Sequence, residues 1–224
     1  MPESGPPKKR ALILGSTGLT GGLLLRELLD GADYEQVLSV SRRLLDIKHD
    51  RLEQVLVNFE DILTRAEDLR ADDIFYCLGT TIRKAGSREK FREVDLEFTL
   101  RLARLAVLQG AKTFSLVSAE GADERSLFYY LRLKAELETA LLKIPFRSLH
   151  IFRPSILVGR RTESRPLESL GLSVLKFMAP ILPYRIRPTD AAKLAKFMLE
   201  ARRRNEDRNI IYSANAISRE VFSL

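Results

Sequence analysis

The sequence predicts an α/β fold built on one doubly wound parallel sheet, and three observations carry that reading. Short apolar runs alternate with stretches whose apolar residues recur at steps of three or four. The runs are nearly continuous rather than alternating in polarity, as in strands covered on both faces. Between the first run and the first helical stretch lies a glycine-rich turn with Gly15, Gly18 and Gly21. At 224 residues the chain can bury one substantial core but not two, so residues 1–224 are read as a single domain.

Each element follows in order. Residues 1–9 are polar and proline-rich and read as a disordered lead-in. The first strand is 11–14; the helix at 19–29 carries Leu24, Leu25, Leu28 and Leu29 on one stripe and stops at Gly31. Residues 37–41, 55–59 and 74–78 are the second, third and fourth strands. A long helix spans 89–109, with Phe91, Val94, Phe98, Leu102 and Leu105 at helical steps and Gly110 as its end. The fifth strand is 113–118, a helix runs over 127–143 and halts before Pro145, and 148–152 is the sixth strand. Beyond Arg153 the pattern loosens into an arginine-rich connector at 160–166 and a short helix at 167–178. It ends with a helix at 189–204 capped by Thr189 and a last strand at 210–213. Residues 153–224 are read as a substrate lid on the same domain. The expected order is 3-2-1-4-5-6, a Rossmann-type sheet with its ligand crevice above the carboxyl ends of the strands.

Composition narrows the function classes. Cys77 is the one cysteine, so no internal disulfide forms; with no visible signal peptide, a reducing, cytoplasmic location is expected. The longest apolar stretch, 170–183, is too short and too interrupted by Lys176 and Pro180 to span a bilayer. Net charge is +7, but the basic residues are scattered and no helix-turn-helix, zinc or RNA-binding signature accompanies them, so no nucleic-acid partner is expected. His49 and His150 have no Cys, Asp or Glu at ligand spacing, so no metal site is expected either.

The glycine turn carries the first chemistry. A strand leading directly into a helix aims backbone N–H groups and the positive helix end at whatever lies above, which favours a diphosphate. Gly15 permits the tight turn, Gly18 omits a Cβ that would block a pyrophosphate, and Gly21 lets the helix lie close to the strand. Ser16, Thr17 and Leu19 complete the turn, and Leu78 and Gly79, at the end of the fourth strand, are further cofactor candidates. No Gly-Lys-Ser/Thr follows, which excludes a Walker loop. The second strand ends in Ser41, Arg42 and Arg43, where arginine suits the extra phosphate of NADP and an acid would suit NAD. The Asn58 amide, at the end of the third strand, can hydrogen-bond an adenine.

A second constellation sits on the helix after the fifth strand. Tyr130 and Lys134 are four residues apart and share a helix face, and a cation beside a phenol favours the phenolate, as acid–base chemistry requires. Tyr129 lies about 140° from Lys134 around the helix and faces elsewhere. Ser118, at the end of the fifth strand, can donate to a substrate carbonyl. Arg83 and Lys84 follow the fourth strand at the crevice mouth, and the run Arg202 to Arg204 ends a helix, where cations complement the dipole.

The G-x-x-G-x-x-G spacing, Ser118 and the Tyr130/Lys134 pair together resemble the short-chain dehydrogenase/reductase family, in the family's order. The stretches GSTGLTG, VSRR, YCLGTT, SAEGAD, YLRLKAELE and FRPSILVGRRTESRP resemble its atypical, Tat-interacting-protein-like group over about residues 11–166. The resemblance implies an NADP(H)-binding domain with Ser118, Tyr130 and Lys134 at the active-site positions and Lys134 also at the nicotinamide ribose. The resemblance does not settle a substrate; the leading reading is an NADP-dependent oxidoreductase acting on a small-molecule carbonyl or alcohol, and family analogy alone points to a homodimer through the two long helices. Two positions depart from the family pattern: Asp95 stands where many members have a proton-relay asparagine, and Asn58 where many have an aspartate. The competing reading is an NADPH-binding regulatory or redox-sensing protein with little turnover.

Overall fold

The structure, a computed structural model, describes residues 9–58, 66–80, 82–159, 188–204 and 206–223. Strand β1 (Arg10–Leu14) leads through the glycine turn into α1 (Leu19–Asp30), followed by β2 (Gln36–Ser41), β3 (Leu52–Leu56) and β4 (Asp73–Tyr76). Helices α2 (Ile82–Ala85), α3 (Arg88–Arg92) and α4 (Phe98–Leu108) precede β5 (Thr113–Val117), α5 (Tyr129–Leu141) and β6 (Ser148–Phe152). Short strands β7 (Leu157–Val158) and β8 (Thr189–Asp190) then pair, and α6 (Ala191–Arg203), β9 (Asn209–Tyr212) and α7 (Ala214–Ser223) complete the described chain.

Seven parallel strands form one sheet in the order β3-β2-β1-β4-β5-β6-β9, the expected order with β9 added beside β6. Neighbouring residues of a strand serve opposite layers, as the pleat requires. Leu12, Leu14, Ile74, Tyr76, Phe114 and Leu116 pack with Phe91, Leu102, Leu133 and Leu137 on one side. Ala11, Ile13, Val37 and Phe75 pack with Leu24, Leu28, Leu194, Phe197 and Met198 of α1 and α6 on the other. Both faces are therefore covered, which is why the strands read as continuous apolar runs.

The differences from expectation have local causes. Strand β3 pairs over Leu52–Leu56 rather than 55–59 because it is the sheet edge, where polar side chains are admitted: Gln36 donates to Glu53, and Gln54 accepts from the Leu45 N–H at 2.7 Å. The long helix at 89–109 is broken by a π turn at Glu93–Glu97, where the Phe98 N–H reaches the Glu93 carbonyl. Helix α5 begins at Tyr129, after exposed Leu127 and Phe128. Helix α6 starts at Ala191, so its cap is Asp190 rather than Thr189: the Asp190 Oδ1 accepts from the Ala192 and Lys193 N–H groups at 2.8 and 3.2 Å. Arg202 and Arg203 do lie in the last turn of α6, and each also makes an ion pair, Arg202 buried against Asp73 at 2.5 Å and Arg203 with Asp33 at 2.7 Å. Because α6 packs on α1 and β9 extends the sheet, these two elements of 153–224 belong to the sheet-bearing body rather than to a cover. The connector at 160–166, the helix at 167–178 and residues 1–8 of the lead-in lie outside the described residues.

His150 is buried in β6, stacked on Tyr212 at 6.0 Å, with Nδ1 3.3 Å from the Tyr212 hydroxyl and no partner for Nε2 among the described residues. Burial pushes its pKa down to about 4. Between the ordinary value near 6.5 and that figure, the unfolded chain carries more protons than the folded one. Stability should therefore fall as pH drops through that window, by roughly 3 kcal/mol from this group. Urea unfolding at stepped pH should show a shallower fall in His150→Phe than in the unmutated chain; identical slopes would refute the assignment.

Candidate active site

The carboxyl ends of the strands converge on the glycine turn. Gly15 has φ +81°, and a Cβ there would lie 2.5 Å from the Cys77 carbonyl, so β4 as well as the turn demands glycine. A Cβ on Gly21 would lie 2.2 Å from the Gly15 carbonyl oxygen, so α1 rests against the end of β1. A Cβ on Gly18 meets only that same oxygen, at 3.1 Å, and otherwise enters open space. No side chain caps α1 and no acid occupies its first turn, which leaves its positive end available to an anion. This cradle fits the diphosphate of a dinucleotide. Ser16 is buried and bonded through Oγ to Ser39 Oγ at 2.7 Å, tying the turn to β2. Thr17 and Gly18 are exposed, and half-buried Leu19 packs so closely on Gly159 that a Cβ there would come within 3.0 Å of it.

Around this cradle the remaining cofactor candidates take distinct places. Arg42 and Arg43 are exposed directly after β2, in a bend where Ser41 Oγ donates to the Arg43 carbonyl at 2.6 Å. Asn58 is exposed two residues beyond β3. Leu78 is half-buried, and Gly79 is exposed with nothing within 4 Å of where a Cβ would stand. Cys77 follows β4 with its N–H on the Leu14 carbonyl at 3.0 Å, and burial pushes its thiol up to about 12, as suits a small packing residue. Arg83 and Lys84 are exposed on α2.

Helix α5 brings the proton-transfer candidates to the same sheet end. The Lys134 ammonium lies 5.8 Å from the Tyr130 ring centroid, and Tyr130 packs on Phe91 with centroids 5.8 Å apart. Tyr129 turns toward Arg88 and Arg132, at 5.3 and 5.8 Å, as its helix offset predicts. Lys134 is buried and its Nζ makes a 2.7 Å ion pair with Asp95 Oδ1, while Asp95 Oδ2 accepts from the Thr80 N–H at 3.1 Å. Burial alone would depress the lysine, but Asp95, Tyr130 and Glu138 outweigh it and hold its pKa above the ordinary value. The π turn at Glu93–Glu97 carries Asp95, and Thr99 Oγ1 braces it through the Asp95 carbonyl at 3.0 Å and the Tyr76 hydroxyl at 2.7 Å.

Ser118 directs its hydroxyl to Glu138, a buried carboxylate gripped by Arg153, whose Nε lies 3.1 and 3.0 Å from the two oxygens. Neither Glu138 nor Arg153 is singled out by the sequence reading. The available signal was periodicity: Tyr130, Lys134 and Glu138 recur every four residues along one helix face. Asp95, read there only as a departure from the asparagine, is the direct partner of the lysine.

A parallel α/β sheet with a glycine cradle and a Ser, Tyr and Lys set at its carboxyl end defines a Rossmann-type dinucleotide fold. Residues 11–124 match the NAD dependent epimerase/dehydratase family, and the chain belongs to it. Protein HTATIP2 of Rattus norvegicus is 40% identical over 167 residues, covering 73% of this chain and 69% of that one, in agreement with the resemblance read from the motifs. The mitochondrial protein FMP52-1 of Scheffersomyces stipitis is 33% identical over 198 residues, 85% of this chain and 87% of its own. Among solved structures, MoeE5 in complex with UDP-glucose and NAD superposes with a TM-score of 0.71 at 18% identity, covering 91% of this chain and 75% of that one. WbmH of Bordetella bronchiseptica in complex with NAD+ gives 0.65 at 15% identity, covering 92% and 75%. These structures share the fold. The expectation of a plain cytoplasmic location does not stand, because the FMP52 relatives are named mitochondrial proteins. A single cysteine excludes an internal disulfide, which does not separate one compartment from another. Among the described residues no helix is long and apolar enough to cross a membrane.

The buried ion pair gives a test of the site's architecture. Asp95→Ala leaves the Lys134 ammonium buried without its carboxylate and should cost about 3 to 5 kcal/mol. Adding Lys134→Met should recover more than about 1 kcal/mol of that loss, since no charge is then stranded. Urea unfolding of both variants measures the coupling; a double variant no more stable than Asp95→Ala would refute it.

Proposed function

We propose that the protein is an NADP-dependent oxidoreductase acting on a carbonyl or alcohol. The observation that carries this reading is the Tyr130/Lys134 pair on one face of α5, with the ammonium 5.8 Å from the phenol ring. The glycine cradle supports dinucleotide binding through uncapped N–H groups at α1 and the open space above Gly18. Bound nicotinamide supplies or accepts the hydride. In this reading the Tyr130 hydroxyl gives or takes the proton at the substrate oxygen, Lys134 holds positive charge beside it and beside the ribose, and Ser118 orients that oxygen. Asp95 fixes the ammonium in place from behind. Ser16, Thr17 and Leu19 line the diphosphate, Leu78 and Gly79 the facing side, and Asn58 the adenine, while the exposed Arg42 and Arg43 supply charge for a ribose phosphate. The related structures that hold NAD agree with a nicotinamide dinucleotide in general.

A second reading, a dinucleotide-binding regulator with little turnover, is favoured by one observation. Lys134 and Ser118 both have protein carboxylates as partners, so neither waits for a substrate to be satisfied. Tyr130→Phe separates the two. On any carbonyl substrate found by screening, turnover should fall about 10² to 10⁴-fold while NADPH affinity changes less than about tenfold. Tyr129→Phe should be nearly silent. Full turnover in Tyr130→Phe would sink the enzyme reading. Failure of a broad carbonyl and alcohol panel to react, with NADPH still tightly held, would favour the regulator.

Cofactor choice is tested at the end of β2. Calorimetry should show NADPH binding at least tenfold more tightly than NADH, and Arg42→Ala with Arg43→Ala should remove most of that preference, because charge-assisted contacts contribute about 1.5 to 3 kcal/mol each. Equal affinities in the unmutated protein would refute the NADP assignment.

A further inference from the structure

We infer that Glu138, gripped by Arg153, sets Ser118 as a hydrogen-bond acceptor, so that the site favours a substrate arriving with a hydroxyl over one arriving with a carbonyl. The inference rests on the oxidoreductase reading and goes beyond it by assigning Glu138 and Arg153 as positioning residues. A serine hydroxyl has one proton to donate and lone pairs that accept. In this structure that proton is directed to Glu138 Oε1. A carboxylate in a guanidinium fork accepts only, so the direction of the bond is determined: Ser118 donates to Glu138 and keeps only its lone pairs for a second partner.

The geometry leaves this arrangement little freedom. The Ser118 N–H is bonded to the Phe152 carbonyl at 2.7 Å, at the end of β6. The Arg153 N–H is bonded to the Tyr212 carbonyl at 2.8 Å, at the end of β9, and its side chain crosses to both oxygens of Glu138. Glu138 is 2% exposed and Ser118 5% exposed, so water does not compete freely for the bond. Rotating the Ser118 hydroxyl toward a carbonyl would remove its proton from a buried carboxylate, a loss that a neutral carbonyl repays incompletely, since bonds to charged groups are the stronger. An alcohol requires no such rotation. On binding, its single O–H proton donates to Ser118, and that same proton turns to Tyr130 when it is transferred.

The test measures binding in complexes where no hydride can move: cyclohexanol with the NADPH-loaded protein and cyclohexanone with the NADP+-loaded protein, both by calorimetry. Ser118→Ala should weaken cyclohexanol about two- to tenfold and leave cyclohexanone within about twofold. If Ser118 donated to carbonyls, the same variant would weaken cyclohexanone instead, and that result would overturn the inference. Glu138→Gln keeps the shape while its amide oxygen faces Arg153 and its NH₂ donates to Ser118, which frees the serine proton for the substrate. This variant should weaken cyclohexanol and strengthen cyclohexanone, a shift in opposite directions that mere loosening of the fold does not produce. Parallel losses for both probes, or binding of neither to the loaded unmutated protein, also overturn the inference. Failure of the unmutated protein to bind NADPH at all would overturn the oxidoreductase reading on which it stands.

Discussion

The contact on which the rest depends is the approach of α1 to the end of β1. With a hypothetical Gly21 Cβ only 2.2 Å from the Gly15 carbonyl oxygen, no other residue fits without moving the helix. That closeness aims the first turn of α1 across the carboxyl ends of the strands, and Gly15 brings β4 equally close on the other side. Helix α6 then packs along α1, burying Phe197 and Met198 in the layer that holds Leu24 and Leu28. Gly159 seats against Leu19, so the chain beyond β6 closes on the helix end that forms the cradle. The shape of the cradle thus arises from close packing, with Gly15 and Gly21 where backbone meets backbone and Gly159 where backbone meets the Leu19 side chain.

On the other face, α5 carries a polar stripe through an apolar layer. Tyr130, Lys134 and Glu138 sit one turn apart, and two of them are buried charges. Isolated, each would be costly, because removing a charge from water costs several kcal/mol. Each instead has a partner from a different element: Asp95 from the π turn and Arg153 from the end of β6. The result is a site whose polar atoms are held by the protein itself. Such pairs stabilise the fold little in net terms, since desolvation offsets attraction, but they restrict where an ammonium and a hydroxyl can point.

The two charge pairs also divide the work. Asp95 ties Lys134 to the loop after β4, since its second oxygen accepts from the Thr80 N–H. Glu138 ties Ser118 to β6 and β9, the side bordered by the C-terminal elements. The π turn is the backbone device that allows the first of these, because one extra residue in the helix rotates Asp95 onto Lys134.

Local pattern in the sequence determined the strand order, the glycine cradle and the face shared by Tyr130 and Lys134. Glycine spacing, apolar runs and a four-residue helical offset are all short-range signals, set by backbone sterics and by which positions must be dry. What only the tertiary structure decided is which charges meet. Asp95 and Lys134 are 39 residues apart and Glu138 and Arg153 lie on different elements, so no local period announces either pair. The same holds for Arg202, a helix-end cation as read, whose partner Asp73 lies 129 residues away. Burial leaves a charge no water to turn to, so its partner is whichever opposite charge the packing of distant elements brings within reach.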